Sequence, residues 1–141
     1  MKSNVLLIAR PDRDENRAIE YAARQTGRGL RHAESSREAF EILSSGLDKI
    51  DIVIIDLDPG IHSISALEAI GCCDSAPPVI AVTGLEESEM APIAYRHGAA
   101  ACVSKPFEAV ELAYIINRLC SSTERERRHS CDLWGHVSAR S

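Results

Sequence analysis

The chain reads as an α/β protein, a doubly wound five-stranded parallel sheet with five helices, and three observations predict it. Short apolar runs alternate with stretches of helical periodicity, the pattern of consecutive βα units. The run Ile52-Val53-Ile54-Ile55 before Asp56 is β-branched without alternation, as in a strand buried on both faces. A chain of 141 residues, 45% of them hydrophobic, is large enough for one core.

The first strand is Val5-Leu6-Leu7-Ile8-Ala9, which breaks off into polar residues. From Asp14 to Gln25, Ala18, Ile19, Ala22 and Ala23 share a helical face, and Gly27 stops the helix. A weaker strand follows at Gly29–Ala33. Ser35 or Ser36 caps a second helix, with Ala39, Phe40, Ile42 and Leu43 on its apolar side and its end at Gly46. Asp51–Asp56 is the central strand. Ser63 to Ile70 makes a short third helix, and the loop from Asp74 to Pro78 returns the chain to the sheet. Pro78 to Gly84 holds the fourth strand. Glu86 to His97 is the fourth helix, acid-rich in its first turn and closed by Gly98. The stretch Gly98 to Ser104 supplies the fifth strand, and Phe107, Val110, Ala113, Ile116 and Leu119 mark the buried stripe of the last helix. One domain therefore covers 1–120. Beyond it the periodicity fails, and the mixed charge run Glu124 to His129, with the isolated Trp134, reads as a charged tail over 121–141 that is flexible or extends the last helix.

Composition narrows the function. Sixteen basic against 21 acidic residues leave a net charge of −5, with the basic residues scattered except in the tail, which argues against non-specific nucleic-acid binding. The apolar run Val5 to Ala9 is too short for a signal peptide, and no stretch approaches a membrane span, so a cytoplasmic protein is expected. Cys72, Cys73, Cys102, Cys120 and Cys131 are odd in number and lack C-x-x-C spacing; reduced, mostly buried thiols are expected rather than a zinc site or disulfides.

The chemistry gathers at the strand ends. Asp56 closes the central strand, Thr83 the fourth, and Lys105, followed by Pro106, the fifth. If these strands are parallel in one sheet, an acid, a hydroxyl and a cation meet at its carboxyl edge, where open α/β sheets bind ligands. That trio suits phosphoryl transfer. Asp56 on its own would serve equally as a turn cap.

With these residues the chain resembles, over about residues 3–120, the receiver domain of two-component response regulators, the chemotaxis-type signalling fold of flavodoxin-like topology. The resemblance implies that Asp56 accepts a phosphoryl group, that the Thr83 hydroxyl bonds it, and that Lys105, with its adjoining Pro106, binds it. It also implies Mg2+ as cofactor, with Asp56 among its ligands; Asp58, Asp12 and Asp14, near in sequence, are the acids that could stand in as further ligands, though Asp12 and Asp14 serve equally as loop and helix-start residues. A sensor histidine kinase or phosphotransfer protein would be the upstream partner and a signalling protein the downstream one, with no nucleic acid or membrane; a homodimer through the fourth helix, fifth strand and fifth helix would fit the family. No further output domain fits in the remaining residues. The domain would be no enzyme beyond catalysing its own phosphorylation from a phosphodonor.

Two departures from the family pattern stand out. The adjacent acids that hold the metal after the first strand correspond to Ala9 and Arg10, and the aromatic switch position corresponds to Cys102. Arg10 is expected to pair with Asp56 as a fixed counter-ion in place of a metal. Any aromatic switching would fall to Tyr95, expected to be half-buried, or to Tyr114. Phosphorylation-independent action as a protein-interaction scaffold is the alternative. A small-ligand domain of the same topology fits less well: no G-x-G-x-x-G follows the first strand, and Asp58-Pro59-Gly60-Ile61-His62 lacks cobalamin-type D-x-H-x-x-G spacing. An independent enzyme would need a histidine beside an acid or thiol, and His32, His62 and His97 are dispersed and expected at the surface or at helix ends.

Overall fold

The computed structural model describes the backbone of residues 3–10, 14–46, 49–57, 64–71, 76–84 and 87–133, and the side chains of these except Glu15, Ser65, Glu87, Ser88 and all beyond Ser121. Strands and helices alternate: β1 (Ser3–Ile8), α1 (Glu15–Gln25), β2 (Gly29–Ala33), α2 (Ser36–Ser45), β3 (Lys49–Asp56), α3 (Ile64–Gly71), β4 (Val79–Thr83), α4 (Glu87–Arg96), β5 (Ala101–Ser104) and α5 (Ala109–Leu133). The five strands form one parallel sheet in the order β2-β1-β3-β4-β5. The strand order reverses between β1 and β3, so the carboxyl ends of those strands flank the crevice such sheets use for ligands.

Strand side chains alternate between two cores. Leu6, Ile8, Val53, Ile55, Val79, Ala81 and Cys102 pack against Ala39 and Ile42 of α2, Leu67 and Ile70 of α3 and Ala94 of α4. Their neighbours Val5, Leu7, Ile52, Ile54, Ile80, Val82 and Val103 pack against Ile19, Ala22 and Ala23 of α1 and Leu112, Ala113 and Ile116 of α5. Burial on both faces is why the central strands lack polar alternation.

The helix ends follow local chemistry. Ser35 caps α2, its hydroxyl accepting the Glu38 N–H at 3.2 Å, while the Glu38 carboxylate accepts the Glu34 N–H at 2.8 Å. Gly46 ends that helix at φ 70°, a left-handed conformation in which a Cβ would be strained. Asp14 holds the N-cap position of α1 without a side-chain bond to the helix.

Several boundaries and faces differ from the sequence reading. β3 begins at Lys49, ahead of Asp51, and the β1–β3 register slips by one residue: Asn4 faces Ile50 and Val5 faces Ile52, leaving Asp51 without an opposite residue. β5 is only Ala101–Ser104. On α5, Val110 is exposed and Leu112 takes the buried place expected of it, because Phe107 precedes the helix and does not set its phase. Tyr95 is 51% exposed rather than half-buried; Met90, Ala91 and Ala94 carry the contact face of α4. Tyr114 is exposed as well, with the Arg118 guanidinium 5.9 Å above its ring. α5 runs for 25 residues, and among the described side chains Leu119 and Cys120 are the furthest along it to pack against the core. Among the described residues no helix is long and apolar enough to cross a membrane. Of the cysteines, Cys102 is buried and Cys120 half-buried; Cys72, Cys73 and the Cys131 side chain lie outside the described residues, as does Trp134.

Candidate functional site

The sheet's carboxyl edge is assembled by the parallel register. Asp56, the last residue of β3, faces Val82, and Thr83, one step further along β4, faces Ser104 at the end of β5. Backbone bonds carry the pairing beyond the strands: Leu57 N–H donates to the Val82 carbonyl at 2.8 Å, and Lys105 N–H to the Thr83 carbonyl at 2.8 Å. The second of these bonds fixes where the Lys105 side chain starts. From there it crosses in front of β4, and its ammonium donates to both carboxylate oxygens of Asp56, at 3.2 and 3.1 Å. Asp56 is only 5% exposed and Thr83 fully buried. A carboxylate so far from water needs a counter-charge and hydrogen bonds, and the lysine supplies both. The Lys105–Pro106 peptide bond is cis.

The trio expected from sequence therefore converges, and the other candidates separate from it. Arg10 is exposed, and among the described residues no ion pair joins it to Asp56, so the expected counter-ion contact is not formed. Asp56 meets Lys105 instead, although Lys105 follows β5, two strands from β3, and Arg10 follows β1, its direct neighbour. Ala9 is 1% exposed and extends the apolar cluster under α1 and α5 by one residue. Cys102 belongs to the opposite core, well inside the edge. Asp12 and Asp58, the other expected metal ligands, lie outside the described residues, as does His62.

Three polar side chains make contacts that carry no signal in the sequence. His32 does not sit at the surface or a helix end: it lies in β2, half-buried, with Nε2 2.7 Å from the Ala9 carbonyl. A carbonyl can only accept, so Nε2 carries the proton. The Asn16 amide donates to the Arg10 carbonyl at 2.6 Å. At the opposite end of the sheet, Arg28 Nε donates to Asp51 at 3.2 Å, and Nη1 reaches the Thr26 carbonyl at 3.2 Å and the Asn117 side chain at 3.5 Å. His97, just after α4, does lie at a helix end, and its Nδ1 is 2.8 Å from Glu68 of α3.

A magnesium ion prefers carboxylate and water oxygens in octahedral geometry. Ala9 offers none and Arg10 adds a cation, and among the described residues no three His, Cys, Asp or Glu side chains cluster to hold a metal.

The fold places the chain among doubly wound parallel α/β domains with ligand chemistry at the carboxyl edge. Its class is narrower than that: residues 7–117 match the family model described as the response regulator receiver domain, and the chain belongs to that family. The regulatory protein AtoC of Escherichia coli (strain K12) is 29% identical over 143 residues, a match covering 95% of this chain and 31% of that protein, so the chain spans less than a third of this relative's length. Among solved structures, a response regulator from Thermotoga maritima superimposes with a TM-score of 0.74 at 21% identity, covering 86% of this chain and 99% of that one. NtrX from Brucella abortus gives 0.76 at 22% identity, over 92% of this chain and 29% of that one. The signal receiver domain of a signal transduction histidine kinase from Syntrophus aciditrophicus gives 0.70 at 24%, over 89% and 94%. At these identities the structural likenesses speak to the fold. Membership places the chain in two-component signalling, where receiver domains meet histidine kinases or phosphotransfer proteins.

Proposed function

We propose that this receiver takes a phosphoryl group onto Asp56 from a histidine kinase or phosphotransfer protein and passes the signal on by protein contact. The observation that carries the reading is the Lys105 ammonium bridging both Asp56 oxygens, with Thr83 one register step away. In the reaction an Asp56 oxygen attacks phosphorus, and the bond to the donor breaks with its electron pair leaving on the donor. The Asp56 oxygen that stays free keeps one lysine contact, while the transferred oxygens gain the ammonium and the Thr83 hydroxyl as donors. Positioning and charge do the catalytic work, as phosphoryl transfer requires.

A second reading, a scaffold acting without phosphorylation, is favoured by two features, the first being that the two residues after β1 are Ala9 and Arg10, neither of them an acid. Cys102, small and buried, is also a poor lever for rearranging the α4–β5–α5 surface. Intact mass before and after treatment with a small acyl phosphate decides between the readings. The acceptor reading expects one phosphoryl group on the chain and none on Asp56→Asn; a gain that survives Asp56→Asn would place the acceptor elsewhere.

A further inference from the structure

We infer that Pro92 divides α4 into two pieces that open separately: the turn Glu87–Ala91 unwinds by itself while the rest of the helix stays on the sheet, and phosphorylation acts on the first piece. The last clause rests on Asp56 being the acceptor; the division does not.

Proline has no backbone N–H, and its ring crowds the carbonyl four residues back. Pro92 lies in the middle of the ten-residue α4, past the first turn in which proline is tolerated. The bond that another residue at this position would make to the Ser88 carbonyl cannot form, so the ladder is interrupted between the two pieces. Packing does not call for the ring, which is exposed.

The pieces are fastened unequally. Beyond Pro92, Ala94 is fully buried in the core cluster that includes Cys102 of β5. The helix then closes on itself: the Gly98 N–H donates to the Tyr95 carbonyl at 3.2 Å and the Ala99 N–H to the Ala94 carbonyl at 2.9 Å, with Gly98 at φ 112°. The Ala100 N–H bonds the Val79 carbonyl of β4 at 2.7 Å, and His97 meets Glu68 of α3. Ahead of Pro92, Glu89 is exposed, and Met90 and Ala91 are only partly buried.

The loosely held piece is also the one nearer the site along the chain. It begins four residues after Thr83, whose hydroxyl is the donor assigned to the transferred oxygens. As the phosphoryl group moves from an acyl phosphate to an Asp56 oxygen, the donor carboxylate leaves with the electron pair. A shift of Thr83 toward the new oxygens then reaches α4 at Glu87, on the side of Pro92 that can yield. Cys102 has no ring with which to lever the other side.

Residue-resolved amide exchange on the purified full chain tests both parts. The amides of residues 87–89 lack an acceptor in any helix that starts here, so Met90 and Ala91 report on the first piece and Arg96 and His97 on the second. In the natural chain Arg96 and His97 are expected to be protected at least about thirtyfold more strongly than Met90 and Ala91, and Pro92→Ala should cut that ratio at least about tenfold. Similar protection of both pieces in the natural chain, or a ratio that Pro92→Ala leaves in place, would overturn the division. With an acyl phosphate in excess and a mass gain confirmed, protection of Met90 and Ala91 should change at least about fivefold while Arg96 and His97 stay within about twofold. A mass gain that moves both pieces alike, or neither, would overturn the assigned response. A chain that gains no mass would refute Asp56 as acceptor and the response with it, and the ratios in the unmodified chain would decide the division on their own.

Discussion

At each end of the sheet a basic side chain crosses in front of one strand to reach an acid on β3. Lys105 passes β4 to meet Asp56 at the carboxyl edge, and Arg28 passes β1 to meet Asp51 at the amino edge. The reach is the same and the construction is not. Arg28 uses its fork on three acceptors from three segments, Asp51, the Thr26 carbonyl and Asn117 of α5. Its acid sits at the register slip in β3, where an unpaired residue can turn toward it. Lys105 brings a compact ammonium on a flexible stem to the two oxygens of one carboxylate. The arginine pair ties elements together. The lysine pair matches a charge that the proposed chemistry would change, and a stem with four rotatable bonds can follow the oxygens as they move.

The comparison can be broken first at the lysine. Lys105→Ala leaves an acid that is 5% exposed without this counter-ion and should cost about 1–3 kcal/mol of stability. Urea denaturation would show it as a lower midpoint, and phosphoryl gain should fall at least about tenfold. Unchanged stability would mean that Asp56 draws its stabilisation from other groups.

Next comes the arginine. Arg28→Met keeps the apolar stem and removes the fork, with an expected loss of about 1–2 kcal/mol and no change in phosphoryl gain, since the change lies at the far end of the sheet. A double-mutant cycle with Asp51→Asn should return a coupling of about 0.5–1.5 kcal/mol; strict additivity would show that Thr26 and Asn117, rather than Asp51, hold the arginine. Two smaller changes away from both ion pairs calibrate the scale. Ser35→Ala should cost about 1 kcal/mol through the lost α2 cap. Arg24→Ala, which removes an exposed pair with Glu20, should cost about 0.3 kcal/mol or less, and a larger loss would mean that the α1 surface does more than solvate the helix.

The contrast between the two edges also explains what could be read from the sequence. Asp56, Thr83 and Lys105 are legible because each ends an apolar strand, and parallel pairing brings strand ends together whatever the details of packing. β2 was legible as a weak strand near Gly29–Ala33, and the strand lies there. The Arg28–Asp51 pair, the His32 contact with Ala9 and the slip beside Asp51 were not, because each depends on register between strands distant in sequence, and periodicity within one strand says nothing of its neighbour's offset. Arg10 fails for a related reason. Its place on the edge was readable, but the direction of a long flexible side chain was not. Tyr95 lies four residues after Ala91 and so borders the packed face of α4; sequence spacing alone cannot say on which side of that border a large ring falls.

The slip in β3 has a mechanical meaning. A side chain's face in a strand depends on odd or even position, so an offset arriving from the α2–β3 connection would ordinarily pass along the whole strand and turn Asp56 the other way. Here the offset is absorbed between Asn4 and Val5, and Ile52 to Ile55 pair with β1 in steady step beyond it. The strand is an expansion joint below and a ruler above, and the acid at its upper end keeps its aim despite the extra residue beneath it.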